Sequence, residues 1–70
     1  MAKSPTMTAA ELIRLLKQHG YEFVRAKGSH QVFKNSVNGK MTVVPMHRGD
    51  IPKGTLNSIL RHTGLDKADQ

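Results

Sequence analysis

The sequence predicts an α+β domain with the element order α-β-β-β-α, three antiparallel strands carrying two helices on one face. Three observations support this. A capped amphipathic stripe at helical spacing opens the chain, and two Gly-bearing turn signals divide a run rich in β-branched and aromatic residues into three extended segments. A second apolar stripe at helical spacing follows near the end. Two short helices most economically cover one face of such a sheet and leave the other partly open.

The first helix begins at Thr8-Ala9-Ala10-Glu11, which has the form of a capping box: the Thr8 hydroxyl accepts from a backbone N–H three residues on and Glu11 reaches back. Leu12, Ile13, Leu15 and Leu16 then make an apolar stripe, Arg14, Lys17 and Gln18 face water, and Gly20 is a natural stop, so the helix is expected from Ala9 to His19. At Tyr21 the period changes. Tyr21 to Lys27 reads as a strand, Lys27-Gly28-Ser29 as a turn, and His30 to Asn35 as the returning strand of a hairpin. Asn38-Gly39 is a second turn signal and leads into Met41 to Val44, closed by Pro45, which donates no ladder hydrogen bond. A loop over residues 46–54 precedes a helix at Thr55 to His62, where Leu56, Ile59 and Leu60 mark the buried side and Gly64 the end; Asp50 with Pro52 offers an earlier start.

Seventy residues make one small domain, expected over residues 8–66, with short tails at 1–7 and 67–70. Leu, Ile, Val and Phe supply only 16 residues (6, 3, 5 and 2), so the core is thin. The absence of cysteine removes a disulfide framework, a thiolate nucleophile and a cysteine-based zinc finger. Apolar runs are far shorter than the roughly 20 residues of a membrane span, and the first residues lack a signal-peptide core. A cytoplasmic protein without a membrane partner is expected.

Charge is the most informative bulk property. Eleven Lys+Arg against five Asp+Glu give +6, and the excess is concentrated: Phe23 to Gly49 holds Arg25, Lys27, Lys34, Lys40, Arg48 and two histidines with no acidic residue. Such a segment makes a field that recruits polyanions, nucleic acid foremost. Strand parity decides what it presents. In the middle strand Gln31 and Phe33 share one face and His30, Val32 and Lys34 the other. With Phe33 beneath the helices, His30 and Lys34 lie on the open face; Val32 is apolar too, so the inverse assignment stays open.

The stretch from Arg25 through Gly28-Ser29-His30 to Phe33, then Thr42-Val43-Val44-Pro45-Met46-His47, then Lys53-Gly54-Thr55-Leu56, resembles the HicA, or YcfA-like, family of toxin ribonucleases. The resemblance runs from about Glu11 to Leu65, and the combination in this order and spacing is specific where Gly-Ser-His alone is weak. It implies a fold like that of double-stranded-RNA-binding domains, metal-independent cleavage of mRNA, no cofactor, no binding to DNA by the toxin itself, and neutralisation by a HicB-type antitoxin encoded alongside. The family's catalytic histidine carries over onto His30. Many members have a second histidine directly after it; this chain has Gln31, so no role passes to that position.

RNA hydrolysis of this kind needs a base for the 2′-hydroxyl, and histidine with its ordinary pKa near 6.5 suits it. Lys27 and Lys34 are expected nearby, disfavouring the imidazolium and holding phosphate together with Arg25. Gly28 and Ser29 let backbone approach phosphate, although an ordinary hairpin turn accounts for them equally well. His47 is the candidate second proton carrier, though loop histidines are usually bystanders. Lys53 at a helix start is a candidate phosphate contact, with a plain helix start as the simpler explanation. His19 and His62 fall at helix C-termini, where the dipole suffices to explain them. No spacing of His, Asp or Glu builds a metal site. The rival readings are a non-catalytic double-stranded-RNA-binding module, which calls for more lysines at the second helix start than Lys53 alone, and a small interaction protein whose basic face docks an acidic partner.

Overall fold

A computed structural model describes residues 6–46 and 48–65. His47 and the greater part of both expected tails lie outside the described residues. The element order is α1 (Ala9–Gln18), β1 (Tyr21–Lys27), β2 (His30–Asn35), β3 (Met41–Pro45) and α2 (Lys53–Thr63), with the strands in one antiparallel sheet of order β1-β2-β3. This is the expected α-β-β-β-α arrangement. Two layers account for its smallest dimension of 17 Å.

The capping box at Thr8 is complete: its Oγ1 accepts from the Glu11 N–H at 3.2 Å, and Glu11 Oε1 accepts from the Thr8 N–H at 2.9 Å. α1 stops one residue earlier than the sequence suggests. The His19 N–H turns back to Leu16 O, and Gly20 follows at φ +92, a left-handed conformation that a side chain resists. α2 begins two residues earlier than its apolar stripe, at Lys53. Pro52, with φ −53, pre-sets the helical turn, and its carbonyl accepts the first bond from Leu56 N–H at 2.9 Å. The end at Gly64, φ +80, is where expected.

The core lies wholly between the helices and one face of the sheet. Leu12 and Leu16 of α1, Tyr21, Phe33 and Val44 of the sheet, and Leu56, Ile59 and Leu60 of α2 are buried together, joined by Ile51 and Leu65. Phe33 is therefore beneath the helices, which settles strand parity. Ile13 and Leu15 border the cluster rather than fill it. The Tyr21 hydroxyl is buried there with no hydrogen-bond partner among the described residues.

Asn35, 5% exposed at the end of β2, joins the layers. Its Nδ2 donates to the His19 carbonyl at the end of α1 (3.0 Å), and its Oδ1 accepts from the N–H groups of Val37 (2.8 Å) and Asn38 (3.1 Å), shaping the β2–β3 turn. A methyl at Gly20 would meet Nδ2 at 3.3 Å, so the positive φ and the close approach both require glycine. On the far side, His62 Nε2 donates to Met41 O (3.0 Å) and Lys40 Nζ to His62 O (3.4 Å), tying the end of α2 to β3.

Replacing Asn35 by Ala strands three backbone groups in a part-buried site. The expected loss is about 2 kcal/mol, a fall in melting temperature of roughly 8–16 °C for a domain of this size, whereas Thr8→Ala, which removes only the cap, costs about half that. Thermal unfolding of the two variants checks the order.

Candidate nucleic-acid interface

β1 and β2 meet through a two-residue turn, Gly28-Ser29, with Lys27 directly opposite His30. Gly28 has φ +60 and Ser29 does not share its sign, the pattern of a type II′ turn with glycine in its first central position. The Ser29 carbonyl accepts from the Met46 N–H at 2.7 Å, so the chain leaving β3 clamps the turn. Pro45 stands opposite His30 on the other side.

The register of β1 contains one irregularity with a large effect. Phe23 pairs with Phe33 but Arg25 pairs with Val32, so Val24 is an extra residue, a β-bulge. Simple alternation from Phe23 places Arg25 and Lys27 on the helix side. The bulge reverses their sense, and they join His30, Val32 and Lys34 on the open face.

That face is a small grid. Lys27, His30 and Pro45 form the row next to the turn; Arg25, Val32 and Val43 the middle row, with Val24 beside it; Glu22, Lys34 and Met41 the last. His30, Lys27 and Arg25 are exposed. Lys27 lies roughly 5 Å from His30 between Cβ atoms and Arg25 diagonally at about 7–8 Å, both within reach of one phosphate held against the imidazole. The middle row is aliphatic: Val24 and Val43 are each 44% exposed, and Val32 is shielded between them.

Lys34 departs from expectation. It is on the open face, but four residues along β2 from His30, a separation of about 13 Å, and its cross-strand partner is Glu22, the face's acidic residue. It does not stand beside the imidazole. Lys53, the first residue of α2, is exposed and belongs to the helix layer rather than to the open face that carries His30. Gly28 and Ser29 are exposed in the turn itself. His19 is exposed at the end of α1, away from the turn, and His62 is engaged by Met41 O. Gln31 falls on the face opposite His30, opposite Ala26 and Val44.

Sequence reasoning missed the bulge and the aliphatic row. A signal for the first existed: in Tyr21-Glu22-Phe23-Val24-Arg25-Ala26-Lys27, strict alternation carries two cations onto the face of Tyr21 and Phe23, a conflict that an extra residue resolves.

Among proteins of known kind, the family model described as the HicA toxin of bacterial toxin–antitoxin systems matches residues 9–65. A relative from Pseudomonas fluorescens (strain Pf0-1), named probable mRNA interferase HicA, is 45% identical over 60 residues, which covers 84% of this chain and 97% of the relative.

Two substitutions test how the site is built. Gly28→Ala is expected to cost about 1 kcal/mol. Nothing lies within 4 Å of a Cβ at that position, so the cost is backbone conformation alone, and D-alanine introduced there by chemical synthesis should restore the loss in urea unfolding. Deleting Val24 removes the bulge yet keeps Arg25 opposite Val32 and Lys27 opposite His30; NMR contacts across those two pairs should persist, and their exchange for an Arg25–Phe33 contact would refute the register.

Proposed function

Because this chain belongs to the HicA family of toxins from bacterial toxin–antitoxin systems, we propose that it is an mRNA-cleaving endoribonuclease in which His30 is the general base. One observation supports the assignment above the others: an exposed imidazole directly opposite Lys27 and diagonal to Arg25, at a turn clamped by the Ser29–Met46 hydrogen bond.

The chemistry asks little of the protein beyond placement. Neutral His30 takes the proton of a 2′-hydroxyl, the 2′-oxygen attacks the adjacent phosphorus in line, and the P–O5′ bond breaks, leaving a 2′,3′-cyclic phosphate and a 5′-hydroxyl whose oxygen picks up a proton. Lys27 and Arg25 hold the phosphate and stabilise the charge that builds on its non-bridging oxygens. The Gly28-Ser29 turn, with no side chain at Gly28, allows backbone and the Ser29 hydroxyl to come close to the same phosphate. His47 remains the candidate acid for the leaving oxygen. Lys53 is assigned to RNA lying along the helix side and Lys34 to nucleotides farther along the open face.

Cleavage independent of metal is part of the proposal. Among the described residues no group of three His, Cys, Asp or Glu gathers to hold a cation, and the attacking group is supplied by the RNA itself. A gripping module without catalysis fits less well, because α2 starts with one lysine rather than the cluster that spans major-groove phosphates. Membership of the family brings an antitoxin partner. We assign that partner to the HicB type, encoded beside the toxin, and place its contact on the basic open face, where covering His30 also blocks substrate. The described residues contain no helix long and apolar enough to cross a membrane, and the reaction is assigned to the cytoplasm, where mRNA is. Residues 8–66 are taken as the single domain that carries it.

Purified wild type and His30→Ala are compared on a defined transcript with EDTA present. Wild type is expected to cut and to leave cyclic phosphate ends; His30→Ala should be slower by about 10²–10⁴-fold, the usual contribution of a general base, with an unchanged unfolding midpoint. Equal rates for the two proteins remove His30 from the mechanism.

A further inference from the structure

The chain has three aromatic residues, Tyr21, Phe23 and Phe33, and no tryptophan. Tyr21 and Phe33 are sealed in the core, whereas Phe23 is 51% exposed. Phe33 holds it edge to face, with ring centroids 5.8 Å apart and planes at 72°, so one aromatic residue is firmly seated while much of its own ring meets solvent. Phe23 stands immediately before the bulge on an edge strand, and Glu22, Phe23, Val24, Lys34 and Ser36 line one open depression there. The cation in that depression is Lys34, which lies too far along β2 to serve His30.

We infer that Phe23 is a stacking platform for an unpaired base of the RNA substrate, with Lys34 holding the phosphate next to it. The inference rests on the reading of the chain as an RNA-cleaving enzyme and adds how substrate beyond the scissile bond is held. Recognition of single-stranded RNA relies on bases splayed onto aromatic faces, with cations following the backbone. The aliphatic row of Val24, Val32 and Val43 offers no such surface, which leaves Phe23 as the one exposed aromatic ring in the chain besides the histidines. Phe23 is opposite Phe33 on the helix-side face of the edge strand, at a level about 10 Å along the sheet from His30, which is on the open face. The stacked base therefore belongs to a nucleotide flanking the cut, reached where the RNA crosses the β1 edge.

The full chain is titrated with labelled single-stranded RNA whose 2′-O-methyl groups remove the attacking hydroxyl, and with the same RNA carrying one abasic nucleotide moved along its length. Phe23→Leu keeps an apolar side chain against Phe33 and Phe23→Tyr keeps the ring. Phe23→Leu should bind about 10-fold more weakly, Phe23→Tyr like wild type, and one abasic position should weaken wild type by a similar factor without weakening Phe23→Leu further. The abasic scan needs no variant, so it decides the matter even if Phe23→Leu does not fold. Equal affinity of wild type for every abasic RNA overturns the inference, as does a Phe23→Leu protein that loses antitoxin binding while keeping RNA binding. Failure at the other level looks different: wild type that cuts no transcript overturns the ribonuclease reading, whereas normal cutting with no base dependence removes only the stacking.

Discussion

A single extra residue in β1 decides which side chains this protein shows to a ligand. Because side chains alternate along a strand, Phe23 on the helix-side face and Arg25 on the open face are incompatible in a regular ladder. The bulge at Val24 reconciles them. Phe23 stays opposite Phe33, and the following residues turn over as a set, so Arg25 and Lys27 arrive beside His30 instead of under the helices. Bulges often adjoin functional sites for this reason: they re-aim a side chain without altering the remainder of the sheet.

The sheet can carry an open basic face only because the other face supplies the whole core. Few large apolar residues are available, and the core draws on those between the helices and the inner face, with Leu12, Leu16, Val44 and Leu56 fully shielded from solvent. Polar contacts close what packing does not reach. Asn35 fastens the end of α1 to the β2–β3 turn, and His62 with Lys40 fastens the end of α2 to the neighbouring strand. Both fastenings lie at the end of the sheet away from the Gly28-Ser29 turn. The site end is held differently, by the Ser29–Met46 bond and by the pairing of Thr8 with Asp50, and so remains accessible.

Electrostatics then divides the cations by distance. Lys27 and Arg25 are near enough to His30 to share a phosphate with it, while Lys34 faces Glu22 across the strands and belongs to another part of the surface. A uniform basic patch in the sequence thus becomes two zones, one suited to charge developing at phosphorus and one suited to binding alone. The two zones are separated along β2 by about 13 Å.

Periodicity, capping and turn chemistry are local, so the sequence by itself determined the five elements, the capping box at Thr8, the hairpin at Gly28-Ser29 and the buried residues Leu56, Ile59 and Leu60, and the motif around His30 marks the family. Boundaries shifted by one or two residues, at the start of α2 because Pro52 pre-sets the turn and at the end of α1 because the His19 N–H turns back. What only the tertiary structure decided was facing and distance: that Phe33 and not Val32 lies beneath the helices, that Arg25 and Lys27 face outward, that Lys34 stands apart from His30, and that Lys53 lies on the helix side. The physical reason is that a strand's period is two, so one bulge or one choice of buried face inverts every assignment along it, and that choice is made by which side chains the helices can cover.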